Sequence, residues 1–259
     1  MMKTARSRLA LALLSLAALA VHPRAQDTAT AWTTLTGRLD HGSMTSNAEE
    51  LKAARAAALR YVVSPVEGVS VPTARYTVSY ADYRLANHPD ASGAEQADYL
   101  DEADQQLREA IRSDATFADA YGLLSAILSL RIARASTVAA KIQYGPESGT
   151  MLDRGFSLEP SNPRLLIIQG VSLFHRPAEH GGDPQQAEVL LRRAVDAADK
   201  EAAAGPAWPN WGRFDGHFWL GQVLAARGDI GGARSEYGKA LLIAPDADDV
   251  RKLLAALGK

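Results

Sequence analysis

Cysteine is absent from the 259 residues, which excludes a disulfide framework, a thiolate metal site, a cysteine nucleophile and a lipidated N-terminal cysteine. Aromatic residues are scarce, at 7% of the chain, whereas alanine fills 48 positions. Small residues let helices approach closely, so this balance favours helix packed on helix, and 47% hydrophobic residues is too apolar for disorder. Clustered positive charge is missing as well. The formal net charge is −2, but Lys3, Arg6, Arg8 and Arg24 stand in the first 25 residues, which hold no acid; the remainder has 24 basic and 30 acidic residues, a net of −6. A chain without a basic stripe cannot neutralise a run of phosphates, which excludes nucleic acid as a partner. Phosphate-cradling glycine loops, His-Glu-x-x-His, Gly-x-Ser-x-Gly and Ser-x-x-Lys are all lacking. No enzymatic reaction, cofactor or metal is therefore expected.

Long apolar runs are confined to the N terminus. Lys3, Arg6 and Arg8 precede Leu9 to Val21, thirteen residues broken only by Ser15. A bilayer span needs about 20 apolar residues, so this run reads as the core of a secretory signal peptide covering residues 1–25. Cleavage after Ala25 is favoured, with Ala20 as the rival because Pro23 stands close by. Residues 26–45 read as a flexible mature N terminus and 46–259 as one domain. The longest later apolar stretch, Leu123 to Leu130, ends at Arg131, so no stable membrane insertion is expected after signal removal. The expected location is the periplasm, or outside the cell, as a soluble protein.

Self-similarity is clearest near the C terminus. Phe214 to Ala247 forms a unit of 34 residues containing His217-x-x-Leu220-Gly221-x-x-Leu224, then Ala233-x-x-x-Tyr237-x-x-Ala240, then Pro245. Gly221 and Ala233, twelve apart, fall where two antiparallel helices would cross. Leu220, Leu224, Tyr237 and Leu241 recur at helical spacing. Gly228 can take positive φ to end the first helix, Asp229 can cap the second, and Pro245 stops it.

This unit resembles the tetratricopeptide repeat, departing at His217, where that family usually has a tryptophan or another large residue. The resemblance implies an all-α solenoid of helical hairpins wound as a right-handed superhelix. Upstream, the second-helix spacing recurs at Ala103-x-x-x-Leu107-x-x-Ala110 and at Ala187-x-x-x-Leu191-x-x-Ala194. Asn162-Pro163 and Asp183-Pro184 read as helix starts. Insertions are expected around Lys141 to Pro146, at Pro177 to Gly182 and at Lys200 to Arg213. Thr73 to Ala86, carrying Tyr76, Tyr80 and Tyr83, should pair with Asp98 to Arg112, and Glu49 to Val62 should precede them. The count is one degenerate and three clearer hairpins, with Ala247 to Leu257 as a terminal cover. Asn162-Pro-Arg164, His180-Gly-Gly-Asp183, Trp211-Gly212 and Leu220-Gly221 together look like a group of exported bacterial tetratricopeptide proteins, over roughly Thr73 to Leu254. Members of the family are chiefly interaction scaffolds.

In that architecture first helices line a concave groove. The repeat register would place Asp119, Leu123, Ala126 and Asp215 there. The candidate partner-binding residues on the same surface are Arg164, Ile168, Val171, His175, Trp219 and Gln222. Family members that bind peptide carboxylates use several cations; Arg164 is the only one in this register, so that ligand class is disfavoured. Trp208, Trp211 and Trp219, three of the four tryptophans, are either a stacking lip over the groove or a packed seal. His175, His180 and Asp183 lie within nine residues, but their spacing does not put both histidines on one helical turn and Asp183 already has a capping role. The expected function is to hold a protein or peptide partner in the groove. The alternative is a small-molecule-binding periplasmic accessory associated with transport, which a pocket closed by the insertions would support.

Overall fold

The computed structural model describes residues 25–205 and 208–258. Among them are eleven α-helices: α1 (Ala25–Thr45), α2 (Ala48–Val63), α3 (Val71–Ala86), α4 (Gly93–Ser113), α5 (Ala118–Arg134), α6 (Val138–Leu158), α7 (Pro163–His175), α8 (Pro184–Ala204), α9 (Arg213–Ala226), α10 (Ile230–Ile243) and α11 (Asp248–Ala256). They pack in sequence as five antiparallel hairpins closed by α11, and successive first helices also touch one another. The chain is an all-α, tetratricopeptide-like solenoid.

Capping side chains set the helix starts. Asn162 accepts from the Arg164 and Leu165 amides ahead of Pro163, Asp183 accepts from Gln186 N, and Asp229 from Gly232 N. Each satisfies a donor that the first turn leaves without an intrahelical partner. Ser92 and Glu95 form a reciprocal capping box at α4. Inside the hairpins the small residues are fully buried: Ala103, Ala187, Ala194, Ala233 and Ala240 have no exposed surface. A Cβ added at Gly221 would stand 2.5 Å from Tyr237 Cε1, so α9 and α10 cross where only glycine fits.

Three expectations need correction. Residues 26–45 are a helix and not a flexible lead. Leu35 and Leu39 of α1 are buried, Leu39 completely, against α2 and α3. The threonine-rich composition lowers helix propensity, but burying one apolar stripe outweighs it. The solenoid thus begins at α1, which makes a fifth hairpin. The signal segment lies outside the described residues, apart from Ala25, which opens α1.

The insertion around Lys141 to Pro146 is not a loop, because α6 runs through it with Pro146 inside the helix. Proline removes one amide donor there, yet the segment is fastened on its inner face. Ser148 Oγ shares hydrogen bonds of 3.1 Å with Ser125 Oγ and 3.0 Å with Ser129 Oγ, and donates to the Ser125 carbonyl at 3.0 Å. The Arg131 guanidinium lies over the Tyr144 ring at 5.5 Å. The third insertion is also shorter than expected, since α8 continues to Ala204 and α9 begins at Arg213. By contrast, Pro177 to Gly182 is a connection, built on a single 3-10 turn, Ala178–His180. Gly181 has φ 84°, and a Cβ at Gly182 would meet the Arg176 carbonyl oxygen at 1.8 Å, so both glycines are required.

Both ends of the solenoid meet. His41 near the end of α1 places Nδ1 2.5 Å from Glu50 Oε2 and Nε2 2.7 Å from Asp246 Oδ2, in the turn before α11. Ser46 Oγ donates to Asp249 Oδ2 at 3.3 Å. The stack is therefore a closed ring.

Candidate functional site: the lumen of the ring

The first helices of the hairpins surround a cavity of about 590 Å³. On α7, Ile167, Ile168, Val171, Ser172 and His175 recur at helical spacing along its wall. Ala126, Ser129, Leu130 and Ala133 do the same on α5, and Phe214, Asp215, Phe218 and Trp219 on α9. Tyr83 and Arg84 of α3, with Asn87 and His88 just after it, form the opposite side, and Ser43, Met44, Asp249 and Val250 reach it from the two joined ends. A wall in which aliphatic and aromatic side chains outnumber ten polar or charged ones, at this volume, has the character of a small-ligand site.

Five of the candidate residues line this cavity: Ile168, Val171, His175, Trp211 and Trp219. The His175 ring meets Trp219 edge-on at 5.4 Å, and Phe218 packs on Trp219 at 5.1 Å. Gln222 is half-buried and is not part of the lining.

Arg164 is not a groove cation. Only 4% exposed, it donates Nε–H to Asp119, Nη1–H to Glu201 Oε2 at 2.6 Å and to the Trp211 carbonyl at 3.3 Å, and Nη2–H to Glu201 Oε1 at 2.8 Å. Two carboxylates and a carbonyl consume its donors, so it fastens α5, α7 and α8 to the Trp211 loop. Asp119 is consequently a buried partner of Arg164, and Leu123 is core.

Trp208 and Trp211 resolve as packed residues. The Trp211 ring stacks on Tyr80 at 4.9 Å and 11°, and its indole N–H donates to Tyr76 Oη at 2.8 Å. The Trp208 indole donates to Thr77 Oγ1 at 2.8 Å. Residues 208–211 thereby cross from the later hairpins to α3, narrowing the groove that a long peptide would need. Large aromatics with a satisfied N–H are stable in such a place.

The cation at the cavity is Arg84, which the repeat register does not single out. Its Nη1–H donates to Asp215 Oδ1 at 3.0 Å and its Nη2–H to the Ser43 carbonyl at 2.5 Å. Asp40 is close by; burial, reinforced by the charge of Asp215, pushes its carboxyl up to about 7. The signal for α3 is its tyrosine spacing at 76, 80 and 83, but nothing local indicates that Arg84 meets a carboxylate 131 positions away.

The suspected metal ligands are engaged separately. Asp183 caps α8, His175 rests on Trp219, and His180 is exposed in the 3-10 turn; His217, which opens the next hairpin, places Nδ1 2.7 Å from Glu236 Oε2 in the buried seam between α9 and α10. Among the described residues no three such side chains converge.

A tetratricopeptide-like solenoid closed around a lumen is the class that this geometry defines. A thermophilic tetratricopeptide repeat protein from Thermus thermophilus is similar to it in structure, with a TM-score of 0.58 over 86% of this chain and 98% of that one, at 16% sequence identity. That likeness establishes the fold. No family model matches the sequence, and no curated protein matches it.

Proposed function

We propose that this is an exported, non-catalytic binding protein of the periplasm whose ligand is a small molecule held in the lumen. Ring closure supports this reading most directly: with His41 joined to Asp246, the first and last hairpins bound the concave cavity, although its lining includes no described residue of the insertions Lys141 to Ser148 and Pro177 to Gly182 that were expected to close it. Its volume of about 590 Å³ falls within the roughly 300–1,000 Å³ of small-molecule sites. The absence of a reaction is supported by the charged groups near the cavity, which are tied to one another instead of converging on open space. Export is supported by the apolar run at Leu9 to Val21. Among the described residues no helix is long and apolar enough to cross a membrane.

A partner protein remains the second reading, favoured by Trp219, half-buried at the cavity wall. An aromatic side chain in that position is the kind that anchors a partner's inserted group.

The two are separated by titrating the protein with the neutral apolar fluorophore N-phenyl-1-naphthylamine. The lumen reading expects saturable enhancement with one site, and its loss when Val171→Trp fills the wall while the far-ultraviolet circular dichroism is unchanged. Linear, unsaturable enhancement would sink it. Affinity capture that depends on Trp219 but not on Val171 would favour the partner.

A further inference from the structure

Most polar groups around the lumen already have partners. Arg84 is occupied by Asp215 and the Ser43 carbonyl. Asp249 accepts from Ser46 Oγ and from Lys252 Nζ at 3.1 Å. His88 pairs Nε2 with the Ser46 carbonyl at 3.0 Å, and its Nδ1 accepts from Asp90 N at 3.2 Å. Asn87 donates to the Tyr83 carbonyl at 2.8 Å, Ser172 Oγ accepts from Arg176, and Ser129 is bound to Ser148. Three lining side chains are left: the Tyr83 hydroxyl, the His175 ring and the Trp219 indole N–H make no hydrogen bond to any described residue. Burial lifts the Tyr83 phenol above its usual value of 10.0, and partial desolvation lowers the His175 imidazole from its usual 6.5 although the residue keeps an exposed edge. At neutral pH Tyr83 and His175 are therefore uncharged hydrogen-bonding groups.

A charged ligand fits this wall poorly. An ion entering an apolar cavity gives up its hydration and must find an opposite charge there. A carboxylate reaching Arg84 would compete with Asp215, which is 5% exposed and already pairs with that guanidinium. An ammonium group would compete with Arg84 for Asp215 in the same way.

From this arrangement we infer the ligand class: an uncharged amphiphile with an aliphatic or aromatic body against Ile168, Val171, Phe218 and Trp219, whose hydroxyl, ester or amide end hydrogen-bonds to Tyr83 and His175. The inference rests on the lumen reading above and goes beyond it by assigning the chemistry selected and the two residues that select.

The test is displacement of N-phenyl-1-naphthylamine at pH 7.5 by 1-decanol, decanoate and decylammonium, which share one chain and differ at the head. Decanol should displace the probe at a concentration lower by at least about tenfold than either ion, reflecting the cost of stripping water from a charge. Tyr83→Phe and His175→Phe should each weaken decanol by about three- to tenfold, the net worth of one neutral hydrogen bond, after correction for each variant's own affinity for the probe, measured by direct titration. Decanoate or decylammonium binding as tightly as decanol overturns the neutral ligand class. Decanol affinity unmoved by both substitutions overturns the assignment of Tyr83 and His175. Failure of the probe itself to saturate removes the lumen reading instead, so the two failures are distinct.

Discussion

The last hairpin and the first adopt one architecture by different means. α9 and α10 are specified locally: Gly221 lies under the Tyr237 ring, Asp229 caps the second helix, and His217 pairs with Glu236 inside the seam. α1 and α2 have none of that signature. They are held by a short apolar stripe, by the edge-on contact of Trp32 with Tyr61 at 5.2 Å, and by polar links to distant parts of the chain. Ser43 and Tyr80 share a hydrogen bond of 2.9 Å, and Arg84 reaches the Ser43 carbonyl. Even the burial differs in kind. Asp82 of α3 is fully buried against Arg55 of α2 with its Oδ2 unpartnered, and burial pushes its carboxyl up to about 7. The contrast separates two sources of repeat structure: small residues that let neighbouring helices cross, and long-range contacts that need the whole ring.

The largest expected effect tests the apolar hold on the first hairpin. Leu39→Ala removes a completely buried side chain and should cost about 2–5 kcal/mol. Because the apolar stripe on α1 is short and centres on this residue, limited proteolysis should cut within 25–63 while α9 and α10 stay protected. Uniform cleavage along the chain would show that the ring fails as one unit. Next, Gly221→Ala drives a methyl group into the buried Tyr237 ring. Overpacking of about 1–3 kcal/mol is partly offset by about 1 kcal/mol of helix propensity. Thermal melting should fall, and a raised melting temperature would show that the ring yields at no cost.

The smallest effect concerns the clasp. Hydrogen bonds donated to Glu50 and then to Asp246 raise His41 above 6.5, while the bond accepted from His41 holds Asp246 below 3.8. A raised histidine stabilises fully below its unfolded value, and the contribution is lost as pH rises through the folded value. A lowered carboxyl contributes above its unfolded value and loses the contribution as pH falls through the folded one. The clasp should thus hold best from about pH 4 to 6.5 and loosen on the alkaline side. The groups are solvent-exposed, so His41 contributes about 1 kcal/mol or less. Melting followed from pH 6 to 8.5 should show wild type declining towards His41→Gln, and parallel curves would count against the clasp.

Those contrasts also explain what can be read from the residues in order. Leu220-Gly221 and Ala233-x-x-x-Tyr237 carry their own geometry, so the last hairpin, its turn at Gly228-Asp229 and the caps at Asn162 and Asp183 are legible. So are Ile168, Val171, His175 and Trp219 as wall residues, because helical spacing puts them on one face. Arg164 misleads, since a cation on a concave face looks available until Glu201 and Asp119 are seen to enclose it. α1 escapes a local reading because the surface that orders it belongs to α2 and α3, and α6 because Pro146 suggests a break that Ser148 prevents. Tyr83 and Arg84 need the ring itself: their counterparts on α7 and α9 are brought across by closure and by no local rule.

That closure has a bearing on how such a chain can change. An open solenoid tolerates gain or loss of a whole hairpin, since each unit leans only on its neighbours. Here His41 and Asp246 stand 205 residues apart and still meet. They do so only if the number of intervening hairpins, and the turn each contributes, bring the circuit back to its start. A duplicated unit would part them and a deleted one would overlap them. The clasp therefore registers the number of repeats: it can form at one count only, the count that also sets the bore of the ring.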